Sequence, residues 1–305
     1  MTTVTTPPCN VESRRVQIQS IARASFRRRQ FYSGVALSLI ALALLIAFVP
    51  LFSILQNVIG KGMHVVTWAF ITKPQQLPGI IDRNAIGGVS NAITGSLVID
   101  GIALLLAVPA AILLSIAFFE FNGRVMSVIR TAVETMVGLP SILFGLLMFT
   151  LLVQQTRHYT GIAGALALAL MMVPLMTVAC EAALRDVPRT IHEAAVALGA
   201  KPSRIMHRVI FPYALPRMLT GIFLSLSRAV GETAPVLLVI GANLLTNWNP
   251  LGPQTSLPTL TLSYVGSQYP ALRYACWGIA LILISVVFVL NLTSRVVTAR
   301  SNKGR

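Results

Sequence analysis

"GSLVIDGIALLLAVPAAILLSIAFF", Gly95 to Phe119, holds a single charged residue, Asp100, in twenty-five. About 20 helical residues cross a hydrocarbon layer about 30 Å thick, so this run is long enough to span a bilayer. It lacks the strict apolar–polar alternation of a barrel strand. In lipid every N–H and C=O must be satisfied within the segment, and an α-helix does that alone. The rest of the chain has the same character. It is 55% apolar and 11% charged with a mean hydropathy of +0.76, outside the range of soluble domains. The fold class is an all-α integral membrane protein.

Apolar runs between charge clusters predict six transmembrane helices, near Phe31–Leu55, Ala92–Phe119, Thr131–Val153, Gly161–Cys180, Leu215–Ala242 and Tyr274–Thr293. The second and fifth exceed what a bilayer requires, so they tilt or project beyond it. Eighteen of the 24 Lys and Arg residues fall in the two termini, the loop between the second and third spans and the loop between the fourth and fifth. Five, Lys61, Lys73, Arg83, Arg157 and Arg273, fall on the opposite side. The positive-inside rule then puts both termini in the cytoplasm. The net charge of +15 reflects this orientation and gives no nucleic-acid partner, because the basic clusters flank spans and lack interleaved aromatics. "FRRRQF", Phe26–Phe31, looks like an export signal, but the apolar run after it is too long for one, and an uncleaved first helix is expected. Residues 1–30 read as a basic, mobile cytoplasmic tail, 31–300 as the transmembrane domain and 301–305 as a short cytoplasmic tail.

Catalytic chemistry is not legible. There is no phosphate-binding glycine loop, no H-E-x-x-H and no paired-aspartate metal motif, so no catalytic residue, metal or cofactor is expected. His64, His158, His192 and His207 are dispersed among the loops, and Cys9, Cys180 and Cys276 have no disulfide or metal spacing. An energy source then has to be an ion gradient or another polypeptide.

Two features call for function. "SRAVGETAP", Ser227–Pro235, puts Arg228 and Glu232 inside the fifth span, where a charged residue costs about 2.5 to 3.5 kcal/mol on insertion scales. Arg228 offers a planar, always-charged fork that suits an oxyanion, and Glu232 at i+4 can pair with it when the path is empty. A permanent structural pair is the alternative. Asp100 suits a pathway role or a hydrogen bond to backbone, and Glu134 snorkels to the interface. Gly138 and Pro140 are positioned to bend the third span, and Gly161 and Gly164 to permit close packing.

The second feature is the loop Glu181–Pro216, "EAALRDVPRTIHEAAVALGAKPSRIMHRVIFPYALP". Residues 190–198 favour a helix, Gly199 suits a left-handed cap, and Pro202 with Ser203 opens a second short helix. Ala194, Ala195 and Leu198 form one face of a protruding knob. The alternative is an amphipathic helix on the headgroups, held by Arg204, Arg208, Ile205 and Val209.

This loop resembles the one in permease subunits of ABC importers, which reads E-A-A-x-x-x-G, nine residues, then I-x-L-P. Here stand Glu193, Ala194, Ala195 and Gly199, then Val209, Ile210, Phe211 and Pro212, with Val and Phe in place of Ile and Leu. "GGVSNAITGSL", Gly87–Leu97, "GLPSILFG", Gly138–Gly145, "RAVGETAPVLL" from Arg228 and "SLPTLTLSYV", Ser256–Val265, are similar to the PstA family of bacterial phosphate importers over about residues 31–300. The resemblance implies an ATP-driven phosphate permease subunit with no ATPase site of its own. It also implies a PstC-like permease as heterodimer partner, two copies of a PstB-like ATPase docked on Glu193, Ala194, Ala195, Gly199 and Pro212, and a PstS-like phosphate-binding protein outside. Arg228, Glu232 and Asp100 are the implied translocation-path residues. A permease for sulfate, molybdate or another oxyanion, and a proton-coupled secondary transporter, are the competing readings.

Overall fold

The computed structural model describes residues 11–76 and 87–303. Its elements are helices: α1 (Val11–Val65), α2 (Trp68–Thr72), α3 (Ser90–Glu120), α4 (Arg124–Val137), α5 (Ile142–Thr156), α6 (Gly161–Arg185), α7 (Arg189–Ala197), α8 (Pro202–Val230), α9 (Ala234–Leu237), α10 (Leu257–Val265) and α11 (Pro270–Lys303). Five are long and apolar enough to cross a membrane, and the bent pair α4–α5 makes six if counted as one crossing. The all-α membrane fold is therefore as expected. Arg83 and Cys9 lie outside the described residues.

The chain divides after Asn57 into two units. The first is part of α1, where Leu37, Leu44 and Phe52 are exposed, the surface of a helix solvated by lipid. This helix begins at Val11, well before the span expected from Phe31. No Gly or Pro interrupts residues 11–33, and Arg, Gln, Ala and Ile there are good helix formers, so nothing local stops it.

The second unit packs around α3 and α6. Ala103, Ala107 and Ala111 of α3 and Ala163, Ala165 and Ala167 of α6 are buried in one cluster. In lipid, helices associate by close packing rather than by expulsion of water, and small side chains let the backbones approach. Gly164 serves the same end, since a Cβ there would lie 2.4 Å from Ile240 Cγ2.

Three expected boundaries change. The third span is not straight: α4 and α5 meet at 110°. Pro140 has no N–H to donate and disfavours helix at Leu139, while the Gly138 and Leu139 amides close the end of α4 on Thr135 and Met136 oxygens. The expected fifth span, Leu215–Ala242, stops at Val230. Gly231 caps the helix and Pro235 follows, and beyond it Val236, Val239 and Ile240 are buried in protein, at most 1% exposed, while Leu237 stays exposed. Apolarity marked core there, not lipid contact. The segment Ser256–Val265, between the fifth and sixth expected spans, contains the helix α10. Ser256 and Thr259 cap it reciprocally, and its Leu257, Leu260 and Tyr264 are buried.

Three of the four histidines sit in helices rather than in loops: His64 ends α1, His192 lies in α7 and His207 in α8. Cys180 and Cys276 are free and buried, as small apolar residues are.

Candidate functional site

α8 delivers Arg228 in its last turn, where the partial negative charge of a helix C-terminus favours a cation. Glu232 stands just past the helix end. Arg228 Nε lies 3.5 Å from Glu232 Oε1, and Ser141 Oγ donates to Glu232 Oε2 at 3.2 Å. Ser141 sits in the bend between α4 and α5. The two helix breaks, which sequence placed in separate spans, thus face each other. Gly145 of α5 holds them together: any Cβ there would fall 2.5 Å from Pro235 O, so only glycine lets α5 rest on the backbone after Glu232.

The Arg228–Glu232 contact is a loose one. The Arg228 side chain is 58% exposed, against 20% for Glu232. An exposed i,i+4 pair of this length contributes only a few tenths of a kcal/mol, too little to justify two charges inside a span as a structural lock. Arg217 pairs with Asp186 at 2.6 Å, both exposed, at the end of α6. From Arg217 to Arg228 is eleven residues of helix, about 16 Å at 1.5 Å per residue, near half of a hydrocarbon layer about 30 Å thick. Non-helical backbone at such depth is tolerated only inside protein or along a water-filled cavity.

Asp100 does not join this pair. It lines a separate cavity of ≈ 270 Å³ with Leu104, Leu226, Val230, Leu257 and Ile282. At 100° per residue, Leu226 and Val230 are on the side of α8 opposite Arg228. The carboxylate and the guanidinium therefore flank α8 on different faces, and the sequence, which gave both one role, could not show this.

The loop after α6 forms a knob built as its residues suggested. Gly199 has φ +72°, and the Gly199 and Ala200 amides bond back to Val196 O at 2.9 Å and Ala195 O at 3.2 Å, the paired bonds of a Schellman cap. Pro202 then starts α8. Leu198 is 88% exposed and Val196 53%, with Glu193 and Ala194 exposed beside them. Ala195 leaves the expected face: it is buried against the core, under the cap. Pro212 is not on the knob either. It lies within α8, two residues past a π-helical turn, Met206–Ile210. Ile205, Met206 and Ile210 are buried in the core, so the apolar face assigned to headgroups is already occupied by protein.

Sequence reading missed one cluster at the root of this knob. The Glu181 carboxylate, 10% exposed, has Oε1 2.8 Å from Arg185 Nε and 3.0 Å from Arg130 Nη2. Both guanidiniums also donate to Phe118 O in the last turn of α3, Arg130 at 2.7 Å and Arg185 at 3.4 Å. The i,i+4 spacing of Glu181 and Arg185 was visible; Arg130 comes from another helix and was not.

Residues 103–303 match the model of the family described as "Binding-protein-dependent transport system inner membrane component". The chain belongs to that family. Among similar permeases, "Phosphate transport system permease protein PstA 1" of Mycobacterium tuberculosis (strain ATCC 25618 / H37Rv) is 34% identical over 277 residues, 88% of this chain and 88% of that protein. PstA of Pasteurella multocida (strain Pm70) is 28% identical over 93% of this chain and 100% of its own. A permease chain of the MetNI methionine ABC transporter in inward-facing conformations superposes with a TM-score of 0.54 at 20% identity, over 70% of this chain and 94% of that one, a likeness of fold. These relatives make the chain a membrane permease component of the PstA type. They carry the transporter class that the EAA loop implied.

Proposed function

We propose that this permease forms, with a related PstC-like permease, the translocation path of an ATP-driven inorganic phosphate importer. Two copies of a PstB-like ATPase drive it from the cytoplasm, a PstS-like protein delivers phosphate outside, and the chain hydrolyses no ATP itself. The observation that carries the reading is Arg228 at a broken helix end, more than half exposed on its own chain and about 16 Å along an apolar helix from the Arg217–Asp186 pair. A charge in that position needs a water-filled path or an opposing protein surface rather than lipid. Phosphate near neutral pH is a mono- or dianion, and a guanidinium lowers the barrier to its passage without binding it as a closed cage would. Glu232 neutralises part of that charge when the path is empty, and the names of the relatives support phosphate as the anion. The knob, with Glu193, Ala194, Gly199 and the outward Leu198, is the surface offered to the ATPase.

The test is uptake of labelled phosphate by vesicles holding the assembled complex, with ATP inside the compartment that faces the knob and the proton gradient collapsed. Uptake is expected to persist and to resist excess sulfate or molybdate. Loss on collapse of the gradient would favour the secondary-transporter reading, and competition by sulfate would favour another oxyanion.

Orientation is checked by labelling with a membrane-impermeant thiol reagent in a background lacking Cys9. Leu251→Cys, at an exposed position in the loop before α10, is expected to react from outside. Ser203→Cys, exposed at the start of α8, is expected to react only from the cytoplasm. The reverse pattern would invert the assignment of both termini to the cytoplasm.

A further inference from the structure

We infer that α4 is a strut carrying movement of the knob to the Arg228–Glu232 pair, with Arg130 at its middle and Ser141 just past its end as positioning residues. The inference rests on the proposed ATP-driven path. Midway along α4, Arg130 is fastened twice: to Glu181 Oε1, one turn before α6 ends and close to the start of the knob, and to Phe118 O of α3. Its guanidinium also lies over the Phe118 ring, 5.3 Å from the centroid. Little else holds the helix. Of the fourteen residues of α4 only Val133 is buried, with Met126, Arg130 and Met136 half-buried along the same narrow stripe and the others exposed.

From Arg130 to the end of α4 at Val137 is about 10 Å at 1.5 Å per residue. There the 110° bend seats Ser141, whose hydroxyl donates to the carboxylate oxygen of Glu232 that is not the one nearest Arg228. The half of α4 after Arg130, anchored there by an ion pair and linked past its end to Glu232 through the Ser141 hydroxyl, moves as a lever. When the root of the knob shifts, Arg130 follows Glu181, and Ser141 is drawn off Glu232. Glu232 is then held by Arg228 alone and can turn aside, leaving the guanidinium to phosphate. The contact that changes is specific: Ser141 Oγ to Glu232 Oε2, made in the conformation described and broken in the other.

The experiment uses the assembled complex in vesicles and measures ATP hydrolysis and phosphate uptake in the same sample. The variants are Arg130→Gln, Ser141→Ala, the double variant and Arg130→Lys. Membrane abundance and ATP hydrolysis are expected to stay within about two-fold of the unaltered complex. Phosphate carried per ATP is expected to fall about five- to ten-fold in each single variant, the scale of a coupling network. The double variant is expected to be no worse than the poorer single one, and Arg130→Lys, which keeps the charge but loses the fork to Phe118 O, to be intermediate. Effects at sites this far apart normally multiply. A multiplied loss, an unchanged yield per ATP, or abundance and hydrolysis falling together would each overturn the strut. If the unaltered complex itself carries no phosphate with ATP, the importer reading fails, an outcome distinct from these.

Discussion

Arg228→Gln is expected to insert and assemble at normal abundance and to lose phosphate uptake by about 10- to 100-fold, the loss that follows from removing a hydrogen-bonded charge worth about 1.5 to 3 kcal/mol. Glutamine keeps polar hydrogen bonding at the end of α8 but removes the positive charge and the planar fork. Assembly should not suffer, because the guanidinium is more than half exposed and its contact with Glu232 is 3.5 Å long. Arg228→Lys is expected to retain part of the uptake, since an ammonium supplies the charge as a point rather than a bidentate face. Glu232→Gln keeps an acceptor for Ser141 and should alter the rate without abolishing it. The charge-swapped pair, Arg228→Glu with Glu232→Arg, decides between roles. A structural pair would be restored by it, whereas a path that needs a cation at the helix end would stay closed. Normal uptake in the swapped pair, or loss of abundance in Arg228→Gln, would defeat the anion-path reading.

How far the sequence could be read depended on whether the deciding interaction was local. The Schellman cap at Gly199, the helix start at Pro202 and the bend at Gly138 and Pro140 follow from backbone chemistry within a few residues, and each is where the sequence put it. The long apolar runs gave the helices for the same reason. Apolarity alone failed where the solvent was protein rather than lipid. Val236, Val239 and Ile240, read into the fifth span, lie beyond the end of α8 and are at most 1% exposed. Contacts across the chain were out of reach. Nothing near Glu181 announces Arg130, and nothing in "VIDGI" tells on which side of α8 Asp100 falls. The pair formed by Ser141 and Glu232 joins two quoted motifs that are ninety-one residues apart, and only their meeting makes a site.

The knob supplies the second large effect. Leu198→Glu is expected to leave folding and membrane abundance unchanged and to reduce ATP-driven uptake by roughly 30-fold, the cost of about 2 kcal/mol or more for losing an apolar anchor at an interface. The argument begins with exposure: Leu198 is 88% exposed, so its own chain gains almost nothing from it, and surface substitutions of that kind usually shift stability by less than about 0.5 kcal/mol. A large leucine at the tip of a capped helix, with Val196 and Ala194 beside it, is a surface shaped to be covered. The headgroup alternative uses Ile205 and Val209, of which Ile205 is 2% exposed in the core and Val209 is half-buried against it. Glu193→Lys tests the polar side of the same surface, inverting one charge beside the apolar tip without touching the Gly199 cap. The measurement is co-purification of the ATPase together with uptake and ATP hydrolysis for both variants. Reduced co-purification with intact membrane abundance is the expected result. Retention of the ATPase and full ATP-driven uptake by Leu198→Glu and Glu193→Lys would remove the knob as the docking surface.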